Sequence, residues 1–97
     1  MKKKNKNKNK NKLGTFLKVK RIEAGLTQLD ISRALDYTSP QFISNWERGT
    51  SHPPIRLLVE LCKMLKVNQD ELFDLVLEVT IEDVTNDLKR KFARCKG

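Results

Sequence analysis

Apolar residues recur along this chain at three- and four-residue steps, and Gly, Pro and small polar residues punctuate the runs. Leu13, Leu17, Arg21 and Ala24 stand at i, i+4, i+8 and i+11, one face of a helix predicted over about 14–24. Gly14-Thr15 opens that helix, and Gly25, which accepts positive φ, ends it. Arg21 interrupts the otherwise apolar face. Thr27 has the position of an N-cap for a short second helix, 28–35, and Asp30 has the acid position of a capping box. Ile31 and Leu35 share a face. After a break at Asp36-Tyr37-Thr38, Ser39-Pro40 restarts a helix, with Ser at N-cap and Pro at N1, where its missing N–H costs nothing. This third helix is predicted over about 40–47 and stops at Arg48-Gly49.

Two consecutive prolines make 50–54 a loop. A fourth helix, about 55–66, carries Leu58, Leu61, Cys62 and Leu65 at helical spacing, so Cys62 reads as a small core residue. Asn68 caps a fifth helix, whose first turn holds Asp70 and Glu71. Thr80 with Asp83 repeats the capping-box pattern and predicts a separate sixth helix over about 81–95. Ile81, Val84, Leu88, Phe92 and Cys95 form its stripe, with acids leading and bases trailing. No segment alternates at period two for long, so the expected fold is all-α: a compact five-helix domain with an additional C-terminal helix. Residues 1–12, MKKKNKNKNKNK, are low-complexity, have only Met1 as an apolar side chain, and are expected to be disordered. The expected organisation is a tail at 1–12, a helical domain at 13–77 and an amphipathic helix at 78–97. The last element either closes the small core from the surface or meets a second copy of the chain.

Composition narrows the function. A chain of 97 residues has room for one domain and none for an attached sensor. The net charge is +8, but seven lysines lie in the first twelve residues, and removing them leaves +1 for the rest. The tail is either a solubilising segment or a polycation that attracts phosphate without regard to sequence. No run of about 18 apolar residues exists to cross a membrane, and no apolar stretch follows the basic start as a signal peptide requires. Cys62 and Cys95 lack metal-ligand or redox spacing, which suits a reducing cytoplasmic setting without a disulfide. The single histidine, His52, falls in a loop. With no phosphate loop, metal-ligand cluster or nucleophile–base pair, the sequence predicts no enzyme, metal, cofactor or small-molecule ligand.

The informative stretch is 26–49, LTQLDISRALDYTSPQFISNWERG. Two short helices joined by a tight break, the second rich in small polar residues, suit a helix-turn-helix, whose second helix lies in the DNA major groove. Gln41, Ser44 and Asn45 stand at i, i+3 and i+4 on one face and can donate and accept hydrogen bonds to base edges. Ile43 and Trp46 stand on the other side and are expected to pack inward, Trp46 as core rather than as a base-stacking platform.

The stretch resembles the Cro/CI-type helix-turn-helix family, the lambda-repressor-like DNA-binding domains. The resemblance rests on Leu26-Thr27-Gln28, Ile43-Ser44, Glu47-Arg48-Gly49 and the preceding 20–25, KRIEAG; it covers about 13–76, with the helix-turn-helix at about 27–47. It implies a phosphate contact from Gln28 and base contacts from the start of the third helix, Pro40, Gln41 and Phe42, and from Asn45. It implies backbone contacts from Arg48, Thr50 and Ser51, to which Thr38 and Ser39 before the helix are added. Pro40 has no donor for base reading, and Phe42 either touches a thymine methyl or packs. Arg21 and Glu47 resemble a family ion pair joining the first helix to the end of the third; a charge on an apolar face requires such a partner. Two departures bear on the register of the third helix: Asp36 stands where Gly is common, and the 36–39 turn is one residue longer than usual.

The resulting expectation is a cytoplasmic, homodimeric transcription regulator that reads double-stranded DNA at near-palindromic operators and represses by covering a promoter. A phage-type repressor, a restriction–modification controller and an antitoxin fit equally. The alternative from another class is a protein-interaction module on the same scaffold. The near-neutral body favours it, and the polar face of Gln41, Ser44 and Asn45 opposes it.

Overall fold

A computed structural model of the protein describes residues 8–96. Residues 1–7, and with them most of the expected disordered tail, lie outside the described residues. Among the described residues the chain forms α1 (Lys8–Glu23), α2 (Gln28–Ala34), α3 (Gln41–Arg48), α4 (Leu58–Leu65) and α5 (Gln69–Lys96), with a 3-10 turn at Ile55–Leu57 leading into α4. No strand occurs among them.

The core is built from the predicted apolar faces. Leu13 and Leu17 of α1 meet Ile31 and Leu35, then Ile43 and Trp46, and are closed by Leu58, Leu61, Cys62 and Leu65 with Leu72, Val76 and Val79. Helix α1 is central and packs on α3, α4 and α5. Burial pushes the Cys62 thiol pKa up, which fits a core residue rather than a reactive one. The fourth helix is shorter than expected: its first turn is 3-10, and Lys66 leaves it in the left-handed region at φ 58°.

The start of α1 differs from the sequence reading. Lys8–Lys12 are helical, so the boundary at residue 12 does not hold. Leu13 is fully buried and fixes the helical register, and lysine extends a nucleated helix at little cost. Gly14 is therefore inside the helix, not a start signal. A Cβ at Gly14 would run into the backbone carbonyl of Glu47, so the missing side chain is what lets α1 lie against α3.

The C-terminal segment differs more. The predicted fifth and sixth helices are one 28-residue rod, about 42 Å long. The Thr80/Asp83 pattern caps nothing. No Gly or Pro interrupts 77–81, and Val79 is buried beside Val76, which keeps the backbone helical through Thr80. Asp83 instead meets His52, Nε2 to Oδ2 2.9 Å. Past Val79, none of the described residues is buried, so the last turns of α5 do not close the core.

Candidate nucleic-acid interface

The turn between α2 and α3 sets how α3 is presented. Helix α2 begins with the predicted capping box: Thr27 Oγ1 accepts from the Asp30 N–H at 2.9 Å, and Asp30 Oδ2 accepts from the Thr27 N–H at 2.8 Å. The Thr27 N–H first, and then the Thr27 hydroxyl beside it, hold the Asp30 carboxyl below the usual carboxylate range. Helix α2 ends in Asp36 at φ 66°, a left-handed conformation that Asp tolerates better than most side chains. Ser32, fully buried, donates from Oγ to the Ser39 carbonyl at 2.7 Å and ties α2 to the threshold of α3. Sequence reasoning passed over Ser32; a small hydroxyl on the buried side of α2, next to Ile31, was the available signal.

Helix α3 begins one residue later than predicted, at Gln41, with Pro40 as the half-helical residue before it. Ser39 is therefore one residue before the N-cap rather than the N-cap itself, although its Oγ accepts from the Gln41 N–H at 3.2 Å. Gly49 ends the helix at φ 82°. Ile43 and Trp46 are buried, so the opposite face is fixed outward. On that face Asn45 is a hub. Its Oδ1 accepts from Gln41 Nε2 at 2.9 Å and from Arg48 Nη2 at 2.6 Å, and its backbone carbonyl accepts from Thr50 Oγ1 at 3.1 Å. Because guanidinium only donates, Asn45 must offer oxygen to Arg48, and Gln41 must then offer nitrogen. Gln41 and Arg48 are exposed, and Ser44 and Asn45 are half-buried. Phe42 stacks on Tyr37 at 4.4 Å between ring centroids, yet the ring remains 45% exposed. Tyr37 meets Trp46 edge-on at 5.9 Å, which carries the stack down to the core.

The expected backbone contacts surround this face. Thr38, Arg48, Thr50 and Ser51 are exposed, and Ser39 is half-buried. Gln28 is half-buried; its Nε2 donates to Glu47 Oε1 at 2.9 Å. That carboxylate also receives Arg21, Nε to Oε2 at 2.6 Å and Nη2 to Oε1 at 3.2 Å, while Arg21 Nη1 donates to the Leu26 carbonyl at 2.9 Å. Arg21, Glu47 and Gln28 thus fasten α1, α3 and the start of α2 together. His52 follows Thr50 and Ser51 but turns to Asp83 of α5.

The described residues contain no group of three His, Cys, Asp or Glu side chains able to hold a metal ion. No helix among them is long and apolar enough to cross a membrane. Comparison with curated proteins and with solved structures returned no significant match. A family model described as helix-turn-helix matches residues 17–72, from the first core leucine of α1's second half to the first turn of α5. That span contains the capped α2, the Asp36 turn, outward-facing α3 and the Arg21–Glu47 fastening, and the chain belongs to the Cro/CI-type helix-turn-helix family of DNA-binding transcription regulators.

Proposed function

We propose that the protein is a sequence-specific regulator that binds double-stranded DNA with α3 in the major groove and represses by covering promoter DNA. The observation that carries this reading is the two-sidedness of α3. Ile43 and Trp46 are committed to the core, while Gln41, Asn45 and Arg48 form a hydrogen-bonded polar row facing solvent. A groove about 12 Å wide admits one helix, and the row supplies the donors and acceptors that base edges need.

In this reading Gln41, Ser44 and Asn45 contact base edges, and the open edge of Phe42 meets a thymine methyl. Both lone pairs of Asn45 Oδ1 are occupied by Gln41 and Arg48, so in this reading its amide N–H groups are what it has left to offer a base. That arrangement favours an acceptor such as guanine O6 or N7; bidentate pairing with adenine requires Asn45 to release its neighbours. Thr38, Ser39, Arg48, Thr50 and Ser51 contact phosphates. Gln28 spends one amide N–H on Glu47 and gives the second to a phosphate. The protein binds as a homodimer on a near-palindromic operator, two half-sites about one helical turn apart.

The test is selection from a pool of random duplexes with the full chain. A two-fold-symmetric site should emerge, and a template carrying that site over a promoter should give less transcript when the protein is added. A pool that remains random after repeated rounds contradicts sequence-specific binding, and increased transcript contradicts repression.

A further inference from the structure

The distal half of α5 carries an apolar face with no partner in the monomer. Ile81, Val84, Leu88 and Phe92 are 52–64% exposed, and Phe73 and Leu77 continue the row toward the core. At 3.6 residues per turn these six side chains stay within a sector of about 100° from Phe73 to Phe92. The sector points nearly opposite to the side bearing Leu72, Val76 and Val79, so the folded body leaves it open. A run of apolar surface this long is uncommon on a monomer. The helix is also electrically divided. Every charged residue from Asp70 to Asp87 is an acid, and every one from Lys89 to Lys96 is a base.

We propose that this face pairs with the same face of a second copy, the two α5 helices running antiparallel and crossing near Val84. This assignment rests on the homodimer reading above and names its surface and orientation. Charge decides the orientation. A parallel pair stacks five cations on five at one end, whereas an antiparallel pair lays each basic end along the acidic stretch of the other copy. With the crossing at Val84, Glu78, which already meets Lys12 of its own chain at 3.6 Å, also lies beside Lys89 of the second copy, and Glu71 lies beside its Lys96; both pairs fall on the same flank of the apolar row. Ile81 meets Leu88 of the other copy, and Phe92 meets its Leu77. The apolar row supplies roughly 600 Å² from each copy, about 1,200 Å² in all, the lower end of what a specific interface buries.

Cysteine chemistry on the full chain tests this. Cys62 is buried and Cys95 is exposed. In the antiparallel pair the two Cys95 thiols are about 33 Å apart, while each lies opposite Phe73 of the other copy. Phe73→Cys should therefore give a covalent dimer with a short bis-maleimide, and the parent protein should not. Leu88→Glu with Phe92→Glu, both far from the core, should leave the helical circular dichroism intact and raise the dimer dissociation constant at least about tenfold in sedimentation velocity. Cross-linking of the parent through Cys95 overturns the antiparallel orientation. A dimer that survives Leu88→Glu/Phe92→Glu and does not cross-link at Phe73→Cys overturns this surface and leaves the homodimer reading standing. A parent chain that stays monomeric at every concentration and occupies DNA one copy at a time overturns both.

Discussion

Removing Arg21 tests the fastening beneath α3. In Arg21→Met the Glu47 carboxylate, whose side chain is 5% exposed, loses both guanidinium bonds and keeps the amide of Gln28. The Leu26 carbonyl loses its donor at the same time. Breaking a buried pair from one side costs about 3–5 kcal/mol, because the remaining charge is stranded. The Gln28 amide softens that penalty, so the lower end, about 3 kcal/mol, is expected. In Arg21→Met/Glu47→Leu no charge is stranded. What remains is the loss of hydrogen bonds at Leu26 and Gln28, about 1 kcal/mol each, offset by apolar packing of the new side chains. The double variant should therefore be the more stable of the two by about 1–2 kcal/mol. Urea unfolding followed by the fluorescence of Trp46, the sole tryptophan and a buried one, measures both. A double variant that loses as much as the single one, or more, refutes the claim that the pair matters chiefly because each charge neutralises the other.

Three further outcomes follow from single features. Gly14→Ala should destabilise by about 1–3 kcal/mol in the same unfolding assay, because the added methyl meets the Glu47 backbone and forces α1 from α3; an unchanged midpoint contradicts that close approach. Asp30 has a folded pKa below its ordinary value of 3.8, so its contribution to stability is present above that value and is lost as pH falls through the lower folded pKa. Asp30→Asn should accordingly flatten the decline in stability on acidification from pH 5 to pH 2, and an identical decline in both proteins contradicts the assignment. Deleting residues 1–7 removes four lysines and leaves α1 whole. It should weaken DNA binding equally for all sequences and reduce the slope of affinity against salt, whereas a changed sequence preference contradicts a purely electrostatic tail.

What the sequence disclosed, and what it hid, follows the range of the interactions. The Thr27–Asp30 capping box, the left-handed Gly25, the stop of the third helix at Gly49, and the inward Ile43 and Trp46 depend on neighbours within a turn or two, and they were legible. The resemblance through 26–49 also pointed to Arg21 and Glu47, 26 residues apart, a pair no local rule would propose. Gly14 was misread because a glycine needed for close helix packing looks, in sequence, like one that starts a helix. Thr80 and Asp83 were misread because a capping box is a local pattern, while the continuation of α5 depends on Val79 reaching the core and Asp83 reaching His52, 31 residues away. Lys8–Lys12 were assigned to a disordered tail by composition alone, although Leu13, one residue on, anchors the register that carries them. On α3 the sequence identified which residues face outward, but not that Asn45 holds Gln41 and Arg48 at once.

The central claim is that the polar row on α3 reads bases, and substitution at Asn45 tests it most directly. Asn45→Ala binding should be measured by competition across a panel of single-base variants of the selected site. The account predicts a loss of about 1–3 kcal/mol confined to one base pair of each half-site, with preference there relaxed and other positions unchanged. A loss spread evenly over all sequences, or no loss, would contradict it.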